Sequence, residues 1–356
     1  MDSTMDNNVA ADDSLGDSLK DVQESSLRLS VDIENKEATK GEGEVQDQYP
    51  ILRKRRRLFV IAVDCYTDSG GFDKKMTQAI EETIKAVKSD PHLAKISGFV
   101  LSTAMPMNET LESLNMGNIH MKDFDALICS SGSEMYYPGS YSGSEEDSKF
   151  SLDFDYAKHI EYRWGHEGVK RTIVKLMNSQ DGQGENKSES SVAVVDEDEG
   201  SSNGHCVSFL VKDKTKAMPV DKLREKLRIR GLRCHLMYCR NSTRLQVIPL
   251  LASRSQALRY LFVRWGVNVA NMYIIAGEKG DTDLEELLSG SQKKVILKGA
   301  VERGSEELLR TSGSYKKKDI VPADSPFIFY TNNDSSQQIL RKQFKKQAKL
   351  VMGSDL

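Results

Sequence analysis

The chain has 356 residues, a formal net charge of −3 and a hydrophobic content of 38%, the last below the roughly 45–50% of globular averages counted with glycine. The length fits roughly two domains, and the small negative charge argues against a dedicated nucleic-acid binder. No stretch reads as a secretory signal or approaches the ~20 apolar residues of a membrane span, so a soluble, cytoplasmic protein is expected, with no membrane or nucleic-acid partner.

Residues 1–57 read as a disordered acidic linker with a basic end; the first fifty hold thirteen Asp or Glu against four Lys or Arg. Within them Ser25–Ile33 alternates and offers one strand or a docking segment. RKRRR, Arg53–Arg57, has the composition of a nuclear signal or polyanion patch. Directly before an apolar run it reads as a solvated lead-in to a strand. Leu58–Val63 is near-continuously apolar, as a central parallel strand is. Asp73–Lys88 carries Met76, Ile80, Ile84 and Val87 at helical spacing. Phe99–Leu101 is a short strand ending in Ser102-Thr103, Met107–Leu114 a helix, and Phe124–Cys129 a third strand. This alternation predicts a doubly wound α/β core with a mostly parallel sheet, its first part spanning 58–149.

From 139 to 152 the chain is rich in Ser, Glu and Asp and reads as a loop. An inserted α+β cap is expected over 150–248. It contains a helical section within Lys158–Met177, a mobile acidic loop at 179–204, strands at Cys206–Val211, Leu232–Tyr238 and Arg244–Pro249, and a helix around Asp221–Arg230. The core resumes over 249–330. Ser253–Trp265 places Leu258, Leu261, Phe262 and Trp265 on one face and stops at Gly266. Met272–Ala276 is a strand ending in GEKGDTD, and Lys294–Leu297 is another. Residues 331–356 form a basic C-terminal tail. The five cysteines, Cys65, Cys129, Cys206, Cys234 and Cys239, show no paired metal spacing and suit free thiols in a reducing compartment.

Four polar clusters fall at strand ends or a helix start: Asp64 to Asp68, Ser102-Thr103, Ser253 to Ser255, and Glu278 to Asp283. In a parallel sheet the C-terminal strand ends share one rim, so these distant clusters can face one cavity suited to a phosphate ester. There Asp64 is placed to attack phosphorus or hold magnesium. Ser102 and Thr103 offer hydroxyl donors, Arg254 a fork of donors, and Lys279, Arg228 and Arg230 further positive charge. Glu278, Asp281 and Asp283 offer hard oxygens for magnesium. Where a second acid would be useful, two residues after Asp64, the chain has Tyr66.

The order VDCYT, LST, SRSQALRYLFVRWG and AGEKGDTDLEEL resembles sucrose-phosphate phosphatase of the haloacid-dehalogenase superfamily. It is closer still to the phosphatase-like domain that closes plant sucrose-phosphate synthase. IEYRWGHEGVKRTIVKLM (Ile160–Met177), LRCHLMYCRNSTRLQVIPLLASRSQALRYLFVRWG (Leu232–Gly266) and KKVILKGAVERGSEELLR from Lys293 carry the synthase likeness, which covers roughly 58–330. Against the superfamily's DxDxT, Asp64 matches the nucleophile, Tyr66 replaces the acid–base Asp, and Asp68 replaces the Thr. Ser102-Thr103 matches the second motif, with Thr103 as the phosphate contact. Arg254 stands where the phosphatases keep lysine. In GDxxND, Glu278 takes the place of the first Asp, Asp281 that of the Asn, and Thr282 that of the final Asp.

A phenol with a free pKa near 10 is a poor substitute for a cycling carboxylate, and loss of a general acid–base costs about 10²–10⁴ in rate. The resemblance, with these departures, implies an impaired phosphatase-like domain of sucrose-phosphate synthase. Asp64 is then a vestigial nucleophile and Asp64, Glu278 and Asp281 a weak or absent magnesium site. Ser102, Thr103, Arg254 and Lys279 remain as phosphate contacts for sucrose 6-phosphate or a related sugar phosphate. No cofactor is required, with Mg²⁺ held weakly at most. The implied partners are the synthase's glucosyltransferase domain, absent from this chain, and a separate sucrose-phosphate phosphatase. The parent reaction joins UDP-glucose and fructose 6-phosphate to give sucrose 6-phosphate and UDP. The rival readings are an active magnesium-dependent sucrose-6-phosphate phosphatase and a purely structural interaction domain.

Overall fold

In a computed structural model, which describes residues 55–138, 150–178, 191–198, 200–297, 304–311 and 328–331, the apolar run after the arginines forms β1 (Arg57–Ala62), buried throughout. Its side chains alternate between two apolar clusters: Leu58, Val60 and Ala62 enter one and Phe59, Ile61 and Val63 the other. A strand covered on both faces needs no polar side, which is why this stretch reads as unbroken hydrophobicity. The helix expected at 73–88 is α1 (Lys75–Lys88), which buries Met76, Ile80, Ile84 and Val87. It is followed by a short α2 (Pro91–Ile96), capped by Asp90, that periodicity does not show. Then come β2 (Ser97–Ser102), α3 (Met107–Met116) and β3 (Ala126–Cys129).

Two antiparallel strands extend this edge, β4 (Glu134–Pro138), for which no strand was expected, and β5 (Phe150–Leu152), at the end of the stretch expected to be loop. After α4 (Phe154–Ile160) and α5 (His166–Asn178) the chain builds a second, antiparallel sheet. Its strands are β6 (Ala193–Val195), β7 (Val207–Val211), β8 (Cys234–Cys239) and β9 (Arg244–Pro249), in the order β6-β7-β9-β8, with α6 (Val220–Ile229) before β8. The chain returns to the large sheet through α7 (Arg254–Trp265), β10 (Met272–Gly277), α8 (Leu284–Ser289), β11 (Lys293–Leu297) and β12 (Ile328–Thr331). The large sheet runs β12-β11-β10-β1-β2-β3-β4-β5, parallel from β12 to β3. Helices α1 and α3 cover one face and α7 and α8 the other, the doubly wound α/β arrangement.

Three expectations change. Tyr156 and Ile160 of α4 pack in the core cluster with Leu258 and Leu261 of α7, and β5 pairs in the large sheet. The change of sheet therefore follows Ile160 rather than falling at 150. The acidic loop drawn to 204 contains β6, because Ala193–Val195 is apolar enough to pair with β7. The basic lead-in is not simply solvated. Arg57 is buried, and Arg55 donates through Nε (3.3 Å) and Nη2 (3.2 Å) to Asp125 Oδ1, whose Oδ2 accepts from Phe99 N at 3.0 Å. Residues 1–54, 179–190 and 332–356 lie outside the described residues. All five cysteines are buried free thiols.

The cap sheet has two dressed faces. Val207, Leu236, Tyr238 and Val247 pack with Val169 and Ile173 of α5 and Leu223 and Leu227 of α6. Cys206, Met237 and Ile248, on the other face, join the core cluster. Core and cap also meet at a turn, Ser130–Gly132, where Ser130 (φ 47°), Ser131 (φ 59°) and Gly132 (φ 100°) all adopt positive φ. A Cβ on Gly132 would lie 2.3 Å from Ser253 C, so only glycine lets this turn reach the start of α7. Gly132→Ala is expected to lower stability by about 3 kcal/mol through strain and overlap, read as a lower urea midpoint with unchanged slope.

Candidate functional site

Adjacency of β10, β1 and β2 brings their C-terminal ends to one rim. Asp64 lies two residues beyond β1, Thr103 follows β2, and residues 278–283 follow β10. Helix α7 starts at the same rim. Ser253 caps it by accepting from Gln256 N at 3.2 Å, and Arg254, its first residue, sends its side chain into the protein interior with 2% exposure.

The guanidinium is the centre of the cluster. Nη1 donates to Asp64 Oδ2 at 2.6 Å and Nε to Asp283 Oδ2 at 2.7 Å, while Nη2 donates to Asp283 Oδ1. Asp281 Oδ2 stands 3.9 Å from Nη2. The Asp283 contact is the bidentate fork that a planar guanidinium makes and an ammonium cannot. The other Asp64 oxygen is also occupied: Thr103 Oγ1 donates to Oδ1 at 2.7 Å and itself accepts from Met105 N at 3.1 Å. Tyr66 Oη lies 3.5 Å from the same Oδ1.

Three buried carboxylates thus share one formal cation. Burial, and then the charge of Asp64, hold the Asp281 carboxyl well above the ordinary range despite Arg254 nearby. Its Oδ2 has no hydrogen-bond partner, which suits a protonated, neutral acid. Burial, then Asp64 and Asp281, push the Tyr66 phenol well above its usual value. For Arg254, burial opposes the charge, yet Asp283, with Asp64 and Asp281, outweighs it and raises the pKa.

The cap completes the enclosure. Tyr238 N donates to Thr282 Oγ1 at 3.0 Å, Thr282 N returns a bond to Tyr238 O at 3.2 Å, and Gln246 Nε2 reaches Ala104 O at 2.9 Å. Ser131 Oγ donates to Gln246 Oε1.

Of the expected residues, Asp64, Tyr66, Thr103, Arg254 and Asp281 come together. Ser102 does not join them; its Oγ is buried without a partner. Lys279 is exposed, Glu278 is half-buried at the end of β10, and Arg228 and Arg230 are exposed at the end of α6. The main partner of Arg254 is Asp283, the neighbour of the Thr282 that stands in the place of the final motif acid. Thr282 instead holds the cap.

Magnesium bonds oxygens at about 2.0–2.1 Å in near-octahedral geometry. Here Asp64 and Asp283 present their oxygens to the guanidinium. Among the described residues no three His, Cys, Asp or Glu side chains are grouped to hold a metal. The expected trio of Asp64, Glu278 and Asp281 therefore does not fit the ion in this arrangement.

Residues 71–323 match the family described as sucrose-6F-phosphate phosphohydrolase. The chain belongs to that family. Within it, the sequence is 56% identical over 316 residues to a sucrose-phosphate synthase of Zea mays, covering 89% of this chain and 29% of that protein. It is 50% identical over 383 residues to a probable sucrose-phosphate synthase 2 of Craterostigma plantagineum, covering 97% of this chain and 35% of that one. The chain thus spans about a third of the length of these curated relatives. The sucrose-phosphatase of a Synechocystis species, solved with sucrose and phosphate, has the same fold. Its TM-score is 0.55 at 15% identity, covering 82% of this chain and 98% of that one. Among the described residues no helix is long and apolar enough to cross a membrane.

Two outcomes follow from the charges. Arg254→Ala leaves Asp64 and Asp283 buried and unpaired, and is expected to destabilise by about 3–5 kcal/mol in chemical denaturation. Asp281 has a raised folded pKa, so the folded state binds more protons than the unfolded state. Stability from this residue is then full below the unfolded value of about 3.9 and falls as pH rises through the folded pKa. Asp281→Asn is therefore expected to match the parent's Tm near pH 4 and exceed it at pH 8.

Proposed function

We propose that this chain is a non-hydrolytic, phosphatase-like module of a plant sucrose-phosphate synthase, with its former reaction centre closed by its own ion pairs. The observation that carries the proposal is the Arg254 guanidinium bound to Asp64 and Asp283. A carboxylate nucleophile needs a free oxygen in line with phosphorus, and both Asp64 oxygens are held by donors. The second acid of the hydrolases protonates the leaving group and then activates water. Tyr66 stands in its place, and its pKa is displaced upward, away from the near-neutral value that acid–base work requires. The positive charge that a divalent ion would bring is supplied from within by Arg254, so no cofactor is needed.

Thr103 and Arg254, the phosphate contacts implied by the family resemblance, are spent on Asp64 in this state. Sucrose 6-phosphate would have to separate Arg254 from buried carboxylates before it could use that donor. On this reading the module supports and regulates the glucosyltransferase part of the synthase and presents a surface to a separate sucrose-phosphate phosphatase. The parent reaction, from UDP-glucose and fructose 6-phosphate to sucrose 6-phosphate and UDP, belongs to that other part.

The test is phosphate release from sucrose 6-phosphate with magnesium present. No release above background is expected; turnover of about 1 per second or faster overturns the proposal in favour of a working phosphatase. Calorimetry with millimolar sucrose 6-phosphate is expected to show no heat for the parent chain. Incubation with UDP-glucose and fructose 6-phosphate is expected to release no UDP.

A further inference from the structure

We propose that the hairpin Arg240–Thr243, joining β8 to β9, is a latch that holds the cap shut over the rim, and that Tyr66 serves as its docking face. This goes beyond the loss of hydrolysis and does not depend on it, since a latch can close a working or a silent site. Arg240, Asn241 and Ser242 have φ of 55°, 54° and 62°. Three consecutive side-chain-bearing residues in the left-handed region are unfavourable and persist only where the surroundings over-determine them. What holds them is the core. Arg240, 8% exposed, forms an ion pair with Glu109 in the first turn of α3. Its guanidinium also lies 6.0 Å from the centre of the Tyr66 ring. Asn241 Nδ2 reaches Asp68 O at 3.4 Å. On the opposite side Ser242 N donates to Ser305 Oγ at 2.7 Å and Ser242 Oγ to Glu307 Oε1 at 3.0 Å.

The fit is close enough to require a glycine opposite. A Cβ on Gly70, φ +78°, would lie 2.0 Å from Thr243 Oγ1 and 2.9 Å from the Arg240 carbonyl oxygen. The hairpin is thus bound to the loop after β1, to α3 and to the 304–307 segment at once. Opening at any one of these contacts loosens the others, so the hairpin and the 64–72 loop form one cooperative opening unit. An acid at position 66 would offer Arg240 a competing ion-pair partner; a phenol offers a flat ring and no charge.

Hydrogen exchange on the whole chain tests this. Glu109→Gln and Gly70→Ala are each expected to speed exchange at least ~10-fold in both the 64–72 and the 240–243 segments, with β1 and β10 unchanged. Trypsin is expected to cut after Arg240 in Glu109→Gln and to spare that bond in the parent. Glu109→Arg should open the same two segments, and Glu109→Arg with Arg240→Glu should return them toward the parent rate. Unchanged exchange in the Gln and Ala variants, release of the hairpin without the 64–72 loop, or no rescue by the charge swap would overturn the proposal. None of these readouts uses phosphate turnover, so failure here is distinct from failure of the non-hydrolytic reading.

Discussion

The contact between Arg254 and its carboxylates governs the rest of the rim. A guanidinium with 2% exposure is tolerable only when its donors are matched, because an unpaired buried charge costs several kcal/mol. Here the matching groups come from two places in the chain: Asp64 after β1, and Asp281 and Asp283 in the loop before α8. Arg254 therefore ties the first half of the core to the second. Its own position works against it, since a cation in the first turn of a helix faces the positive end of the macrodipole. The aspartates offset that penalty. With one cation among three acids, the group least well paired, Asp281, takes up the imbalance by favouring its neutral form.

The cap is bound by apolar packing away from the rim and by directional bonds close to it. Alternation along β8 and β9 sends Leu236, Tyr238 and Val247 toward α5 and α6, and Met237 and Ile248 toward the core. Nearer the rim the contacts become directional. The main-chain N–H of Tyr238 donates to the Thr282 hydroxyl and its carbonyl accepts from the Thr282 main-chain N–H, and Gln246 bridges to the Ala104 carbonyl and Ser131. Such bonds lose strength steeply with misalignment, so they set the cap's orientation more than its adhesion.

Much of the core was legible because its signals are strong and local. Leu58–Val63 could be little other than a buried strand, and Met76, Ile80, Ile84 and Val87 trace a helix face. The strands β4, β5 and β6 were hidden for a common reason: each is short and flanked by serine, glycine or acidic residues, and its pairing is decided by the neighbouring strand. At the site, the motif order identified Asp64, Thr103 and Arg254, but not what Arg254 would bind. Asp281, Thr282 and Asp283 are consecutive, and one of them reaches toward Arg254 by a fork while its neighbour bonds the cap. That division depends on the path of the loop, which spacing does not encode. Glu109 and Arg240 lie 131 positions apart, and nothing local to either announces the pair.

The departures from the hydrolase pattern make more sense together than singly. An aspartate at position 66 would add a fourth acid to a buried group that already holds three around one cation, and desolvation would push one of them to neutrality. A phenol removes that charge. A lysine at position 254 would offer a point charge with no fork for Asp283, leaving carboxylate oxygens unmatched; a guanidinium covers both and still reaches Asp64. Each replacement alone would strain the cluster, and the pair of them closes it: fewer acids and a cation of greater reach. The ion pairs that match the charges of this centre are thus part of the same arrangement that occupies both oxygens of Asp64.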